Sequence, residues 1–183
     1  MGNPASRVYL QVLVVRCQVG DRQAFAELVA HCQPRLRAFV HKMLAEPHQV
    51  DDVAQDVWMD VFEDLPRLND ASAFMPWLYR IAHNRCFRVL RRRRQPTAQI
   101  DEHEVAQPTD DEDDFTAEDA AAVHAALEKL SPEHREVLLL RFLEDMSYEE
   151  IAGVVMCPVG TVRSRIHNAK CALRTILETA RFP

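Results

Sequence analysis

The apolar positions of this chain recur at spacings of three and four along most of its length, the period of an α-helix. Val8 to Val19 reads as a first helix closed by Gly20, and Asp21 caps a second through about His31. Pro34 stands where a third begins, running to Ala45, before Glu46-Pro47 breaks the pattern. In a fourth helix, ending at Asp64, Val50, Val53, Ala54, Val57, Trp58, Val61, Phe62 and Leu65 make one apolar stripe. Pro66 to Pro76 reads as a loop, and Phe74, Trp77, Leu78 and Ile81 resume the helical spacing into an arginine-rich helix ending near Arg94. Gln95 to Phe115 has no apolar period and reads as a linker. Helix returns at Thr116 and runs to Leu130; Ser131-Pro132-Glu133 is a cap with proline at the first helical position of the next, which reaches Leu143.

Ser147 followed by Glu150 is a capping box, so another helix starts near Tyr148. Pro158 fits the first turn of the last helix, where Val159, Val162, Ile166, Ala169, Leu173 and Ile176 bury one stripe. Arg163, Ser164, His167, Asn168 and Lys170 are left on its outer face. A polar, cationic second helix after a short turn is the arrangement with which a helix-turn-helix enters the DNA major groove. The whole chain reads as all-α: two small helical domains, residues 1–94 and 116–183, joined by a flexible acidic linker at 95–115.

Charge sharpens this picture. The net charge of −6 over 183 residues speaks against nucleic acid until its distribution is followed. Tyr79 to Arg94 holds seven arginines and no acid, Asp101 to Asp119 ten acids and no Lys or Arg, and Val155 to the end five basic residues and one acid. The local field decides binding, not the total. On the arginine-rich helix Trp77, Tyr79 and Phe87 interleave with the cations, a combination suited to phosphate contacts and stacking on an unpaired base. A basic helix end favoured by the helix dipole explains part of the run, but not four turns without an acid. The fourth helix carries Asp51, Asp52, Gln55, Asp56, Asp60, Glu63 and Asp64 opposite its stripe; such a face is solvated or presented to a basic partner.

Other chemistry is sparse. The five cysteines are scattered without a C-x-x-C, which suits a reducing cytoplasm. His83 and Cys86 could share a helical face as metal ligands, but no second pair stands nearby. No nucleophile–base pair, phosphate-binding glycine loop or ligand cluster is present, so neither an enzyme nor a cofactor or metal protein is expected. The apolar run Val8 to Val15 is short and interrupted by Gln11, giving neither a signal peptide nor membrane insertion. An autonomous helix-turn-helix regulator is the alternative; it usually needs a dimer interface, and no heptad seam or spare apolar helix is visible.

Four stretches together resemble the bacterial sigma-70 family: Asp51 to Trp58, Phe74 to Ala82, Leu130 to Arg141, and Cys157 to Arg165. The two-domain length is similar to the extracytoplasmic-function (ECF) subgroup. The resemblance implies a sigma-2-like domain that docks on core RNA polymerase through Asp52, Gln55, Asp56 and Asp60. It implies minus-10 reading by Asn69, Asp70, Ser72, Phe74, Trp77, Arg80, Arg85 and Arg88, with one flipped base held by the loop before Trp77. A sigma-4-like domain would read the minus-35 element of promoter DNA with Arg163, Ser164, His167 and Asn168, while Thr161, Arg165 and Lys170 lean toward phosphates. An anti-sigma factor is a further implied partner.

The linker then has a physical task, since about 20 residues span up to roughly 70 Å, comparable to two duplex turns of about 34 Å each. Its run Asp110 to Asp114 either mimics nucleic acid or only keeps the tether solvated. Two positions depart from the family pattern. Met156 stands where many members have glycine, so either the turn differs or Met156 accepts a strained φ. Asn168 stands where many carry a bulky or basic residue, which leaves the minus-35 sequence open.

Overall fold

Eight α-helices and no strand make up the described residues, 4–44, 46–93 and 120–181, of the computed structural model. They fall into two compact units, α1–α4 and, centred on α5–α8, a second. The acidic linker and its run Asp110 to Asp114 lie outside the described residues.

In the first unit α1 spans Pro4–Gln18, α2 Arg22–Leu44, α3 Pro47–Asp64 and α4 Phe74–Arg93. Gly20, at φ 89°, ends α1 as expected, its N–H bonding the Cys17 carbonyl at 2.9 Å. Asp21 caps α2 through the Ala24 N–H at 3.0 Å. The expected break at Pro34 does not occur: one helix runs through it, so three helices, not four, precede the loop. Pro34 lacks only the N–H that would reach the Ala30 carbonyl, at a cost of about 3 kcal/mol. Leu28, Cys32, Leu36, Phe39, Val40 and Met43 form one buried line across it. Each large apolar side chain buried there returns about 1.5–3 kcal/mol, so continuity wins.

Around α2 pack α1, α3 and α4. From α4 come Phe74, Leu78, Tyr79, Ala82 and Cys86, with Tyr79 edge-on to Phe39 at 5.0 Å. The expected α3 stripe is buried except Phe62, which is exposed and stands edge-on to Phe25 at 5.2 Å. A second departure lies on α1. Val8, Val12, Val15 and Val19 are 49–80% exposed at heptad-like spacing, so a spare apolar line exists where none was expected. Four valines on one helix fall well short of the roughly 1,200 Å² of a stable interface, so this line does not restore the dimeric regulator.

The loop before α4 is shorter than read from the prolines and is built as two 3₁₀ turns, Leu65–Arg67 and Ala71–Ala73, with Pro76 inside the first turn of α4. Gln18, at the end of α1, pins it by donating to the Leu65 and Leu68 carbonyls at 3.1 and 2.6 Å.

In the second unit α5 covers Ala120–Lys129, α6 Pro132–Leu138, α7 Tyr148–Val155 and α8 Val159–Arg181; a π-turn at Leu139–Leu143 extends α6. Ser131 caps α6 by accepting from the His134 N–H at 3.2 Å. Arg135 is 7% exposed and donates to the Leu127, Glu128 and Leu130 carbonyls at 2.8, 2.7 and 3.2 Å, closing the end of α5. Both halves of the Ser147–Glu150 capping box are present, at 3.1 and 2.7 Å. Met156 takes the left-handed conformation, φ 56° and ψ 45°, so the family's turn geometry is kept at the expense of strain. Pro158 precedes α8 rather than lying within it, its carbonyl accepting from the Val162 N–H at 3.1 Å.

Candidate nucleic-acid interface

The pinned loop and the start of α4 line an open cleft of about 460 Å³, formed by Asp64, Arg67, Leu68, Asn69, Asp70, Trp77 and Arg80. Four of the sequence-predicted minus-10 residues, Asn69, Asp70, Trp77 and Arg80, therefore meet in one place. Ser72 stiffens the rim: its N–H and Oγ both donate to Asp70, at 2.8 and 2.7 Å. Those two bonds, the hydroxyl's first, hold the Asp70 carboxyl below its ordinary range, so it is an anion acceptor at neutral pH. The cleft thus offers an indole, a guanidinium, a carboxylate and a carboxamide, which suits an unpaired base with donors and acceptors on its edge.

Phe74 is corrected. It is fully buried, its ring tilted against that of Trp77 with the centroids 6.1 Å apart, so it is not open for stacking on a base. Tyr79 is likewise core, not an interleaved aromatic of the surface.

The arginines of α4 divide by face. Arg80, Arg88, Arg91 and Arg92 are exposed, and the last three line a shallow hollow of about 490 Å³ with His83, Asn84 and Phe87. The His83 and Phe87 rings lie 4.5 Å apart. Sequence reasoning misses His83 and Asn84 on this face, although their i+3 and i+4 spacing from Arg80 is the available signal. Arg85 points elsewhere. Its Nε donates to Asp60 at 2.7 Å and Nη1 to Asp56 at 2.9 Å, and Nη2 also reaches Asp60. Arg93 pairs with Glu46 at 2.7 Å and donates to the Leu44 carbonyl at 3.0 Å.

On α3, Asp52, Gln55 and Asp56 are exposed and Asp60 is partly so. Arg85 thus joins residues expected in two separate sites. Beside these acids stand Met59 and Phe62, both exposed; the sequence reading counts Phe62 in the buried stripe and does not single out Met59.

Along α8, Val162, Ile166, Ala169 and Leu173 are buried against the unit, and Arg163 is exposed on the outer side. Ser164, His167 and Asn168 are partly exposed; the Ser164 hydroxyl donates to the Thr161 carbonyl at 3.1 Å, and His167 meets Cys171 at 3.7 Å. Arg165 is partly exposed. Its charge reaches His134 of α6, whose imidazole is held below its ordinary value by burial first and Arg165 second. Lys170 is partly exposed on the same helix. Among the described residues no group of His, Cys, Asp and Glu could hold a metal ion, and no helix is long and apolar enough to cross a membrane.

The chain has relatives among known proteins. Residues 28–95 match the family model of sigma-70 region 2 and residues 120–173 that of sigma-70 region 4. The RNA polymerase sigma-H factor of Pseudomonas aeruginosa is 34% identical, over 92% of this chain and 93% of its own length. The ECF RNA polymerase sigma-E factor of Escherichia coli is 35% identical, over 89% and 91%. Among solved structures, CnrH in complex with the cytosolic domain of CnrY shares the fold at a TM-score of 0.70 and 26% identity, covering 93% of this chain and 98% of that one. The sigma factor RpoE in complex with the anti-sigma factor NepR from Bartonella quintana gives 0.66 and 25%, covering 84% and 96%.

Proposed function

The chain belongs to the sigma-70 family, in its ECF subgroup, and from that premise we propose that it is the promoter-selecting subunit of an RNA polymerase holoenzyme. It binds core RNA polymerase and directs transcription initiation at specific promoters. It is a cytoplasmic binding subunit and not an enzyme. Its first domain, residues 1–94, docks on core enzyme through α3 and reads minus-10; its second, residues 116–183, reads minus-35 through α8; residues 95–115 tether them.

One observation supports this reading: each unit carries exposed arginines on one helix, Arg80 and Arg88 on α4 in the first and Arg163 on α8 in the second. On α4 the Asn69–Asp70–Trp77–Arg80 cleft receives one flipped non-template base. Flipping costs a few kcal/mol, which stacking on Trp77 and hydrogen bonds to Asp70 and Asn69 offset. Arg80 and Arg88 hold the flanking phosphates. On α8, Arg163, Ser164, His167 and Asn168 face base edges, and Thr161 and Lys170 the backbone. The acids Asp52, Asp56 and Asp60 meet a basic surface of the polymerase, with Gln55 hydrogen-bonding beside them. An anti-sigma factor that covers these faces keeps the free protein inactive; that RpoE is found in complex with the anti-sigma factor NepR supports a partner of this kind.

Run-off transcription with core polymerase, this protein and a promoter library tests the proposal. A specific transcript dependent on the protein is expected; its absence defeats the reading.

A further inference from the structure

Two cations share the ring of Tyr148, the half-buried first residue of α7. The guanidinium carbon of Arg141 lies 5.3 Å from the ring centroid and that of Arg163 5.6 Å. Both distances fall inside the ~6 Å range of a cation–π contact. The ring and Arg141 are anchored from below. The Ser147–Glu150 capping box fixes where α7 starts, and Arg141 donates to the Met146 carbonyl at 2.9 Å. Arg163 is the adjustable member: it is exposed on α8, and its partner among the described residues is that ring.

Resting on the reading that α8 enters the major groove, we propose that Tyr148 is a positioning residue for minus-35 recognition, holding Arg163 in the orientation that meets a base edge. A guanidinium read by a guanine must present two donors in one plane to O6 and N7. Stacking on an aromatic face fixes that plane while leaving the in-plane N–H groups free, and it removes rotamer freedom before the DNA arrives. Arg141 adds a second cation beside the first. Like charges gathered on one ring repel, and an approaching acceptor relieves both, so the cluster favours guanine or a neighbouring phosphate over a donor-bearing base edge. Lysine at position 163 lacks the planar fork and would not substitute.

The test uses the full chain with core polymerase and a duplex library randomised across the upstream element, scored by the base preference of the retained sequences. Tyr148→Phe keeps the ring and should keep the motif. Tyr148→Leu keeps apolar bulk without a ring and should lower preference about fivefold at the column that Arg163→Ala also flattens. The double variant should be no flatter there than Arg163→Ala alone. A uniform loss of binding with an unchanged motif in Tyr148→Leu would overturn the proposal, since packing or phosphate contact would then be the role of Tyr148. If the unsubstituted protein enriches no motif, the sigma-factor reading itself has failed, and that is seen before any variant is compared.

Discussion

Replacing Arg135 by methionine should unfold the second unit well before the first. The guanidinium is almost wholly buried and donates three hydrogen bonds to the carbonyls that end α5, while burial pulls its pKa down, the sign of a desolvated charge. Helix-end carbonyls have no partner within the helix, and α5 has only ten residues, too few to persist without docking. Hydrogen bonds to a charged donor contribute about 1.5–3 kcal/mol each, so three make the gross gain large. Removing the guanidinium also removes its desolvation cost, and for some buried ion pairs an apolar replacement is neutral. Here the acceptors stay buried when the donor goes, so the loss dominates, at about 3 kcal/mol. Arg135→Lys, which reaches fewer carbonyls, should lose about half as much. Both tryptophans, Trp58 and Trp77, lie in the first unit. Urea unfolding followed by tryptophan fluorescence should keep its midpoint, while far-UV circular dichroism gains an earlier transition. An Arg135→Met chain whose dichroism transition stays within about 0.5 kcal/mol of the parent would refute the reasoning.

Relief of backbone strain gives a prediction of opposite sign: left-handed Met156 costs about 1–2 kcal/mol and glycine returns about 0.5–1 of that as chain entropy, so Met156→Gly should raise the second unit's melting temperature by a few degrees. Met156→Ala, which keeps the strain, should not. His134 sets a pH dependence. Its folded pKa is depressed, so the unfolded chain binds a proton that the folded one does not; the contribution to stability is complete above about 6.5 and falls as pH drops toward the lowered value. Melting temperature between pH 7.5 and 5.5 should therefore decline less steeply in His134→Gln, and equal slopes would contradict the assignment. Asp56→Arg should weaken assembly with core polymerase, read by native gel shift, without altering the promoter motif selected; undiminished assembly would remove Asp56 from the docking face.

Much of this architecture is legible in the residues because local rules and tertiary packing agree there. The Ser147–Glu150 box, the Ser131 cap and the Gly20 stop act within a few residues, and each is where its spacing places it. Pro34 misleads because its penalty is local while the buried line that outweighs it comes from contacts with three other helices. Phe74 and Phe62 exchange their expected places for the same reason: an aromatic at helical spacing carries no mark of which side a neighbour covers. Gln18 and Arg135 escape notice because their acceptors are backbone carbonyls, which no side-chain pattern reveals. Asn69 and Asp70 of the candidate cleft are foreseen only through the family resemblance, and Trp77 and Arg80 also from the interleaving of aromatics and arginines on α4; the partition of those arginines cannot be foreseen.

That partition bears on how α3 would hold a polymerase. Counting acids makes α3 an electrostatic dock, yet Asp56 and Asp60 already share Arg85, so a basic partner must compete with a cation in place. Exposed ion pairs contribute at most about 1 kcal/mol each, and a swap of one guanidinium for another yields less. Met59 and Phe62 have no such compensation, and burying an exposed Phe in an interface centre is worth about 2 kcal/mol or more. The docking energy should thus rest on these apolar side chains, with the acids setting encounter rate and orientation. Phe62→Ala should reduce core-polymerase affinity about thirtyfold, mainly through faster dissociation, whereas Asp52→Asn should cost less than about fivefold and act mainly on association in a salt-dependent way. The reverse ranking would mean that α3 binds by charge after all, and that Arg85 is displaced on docking at little cost.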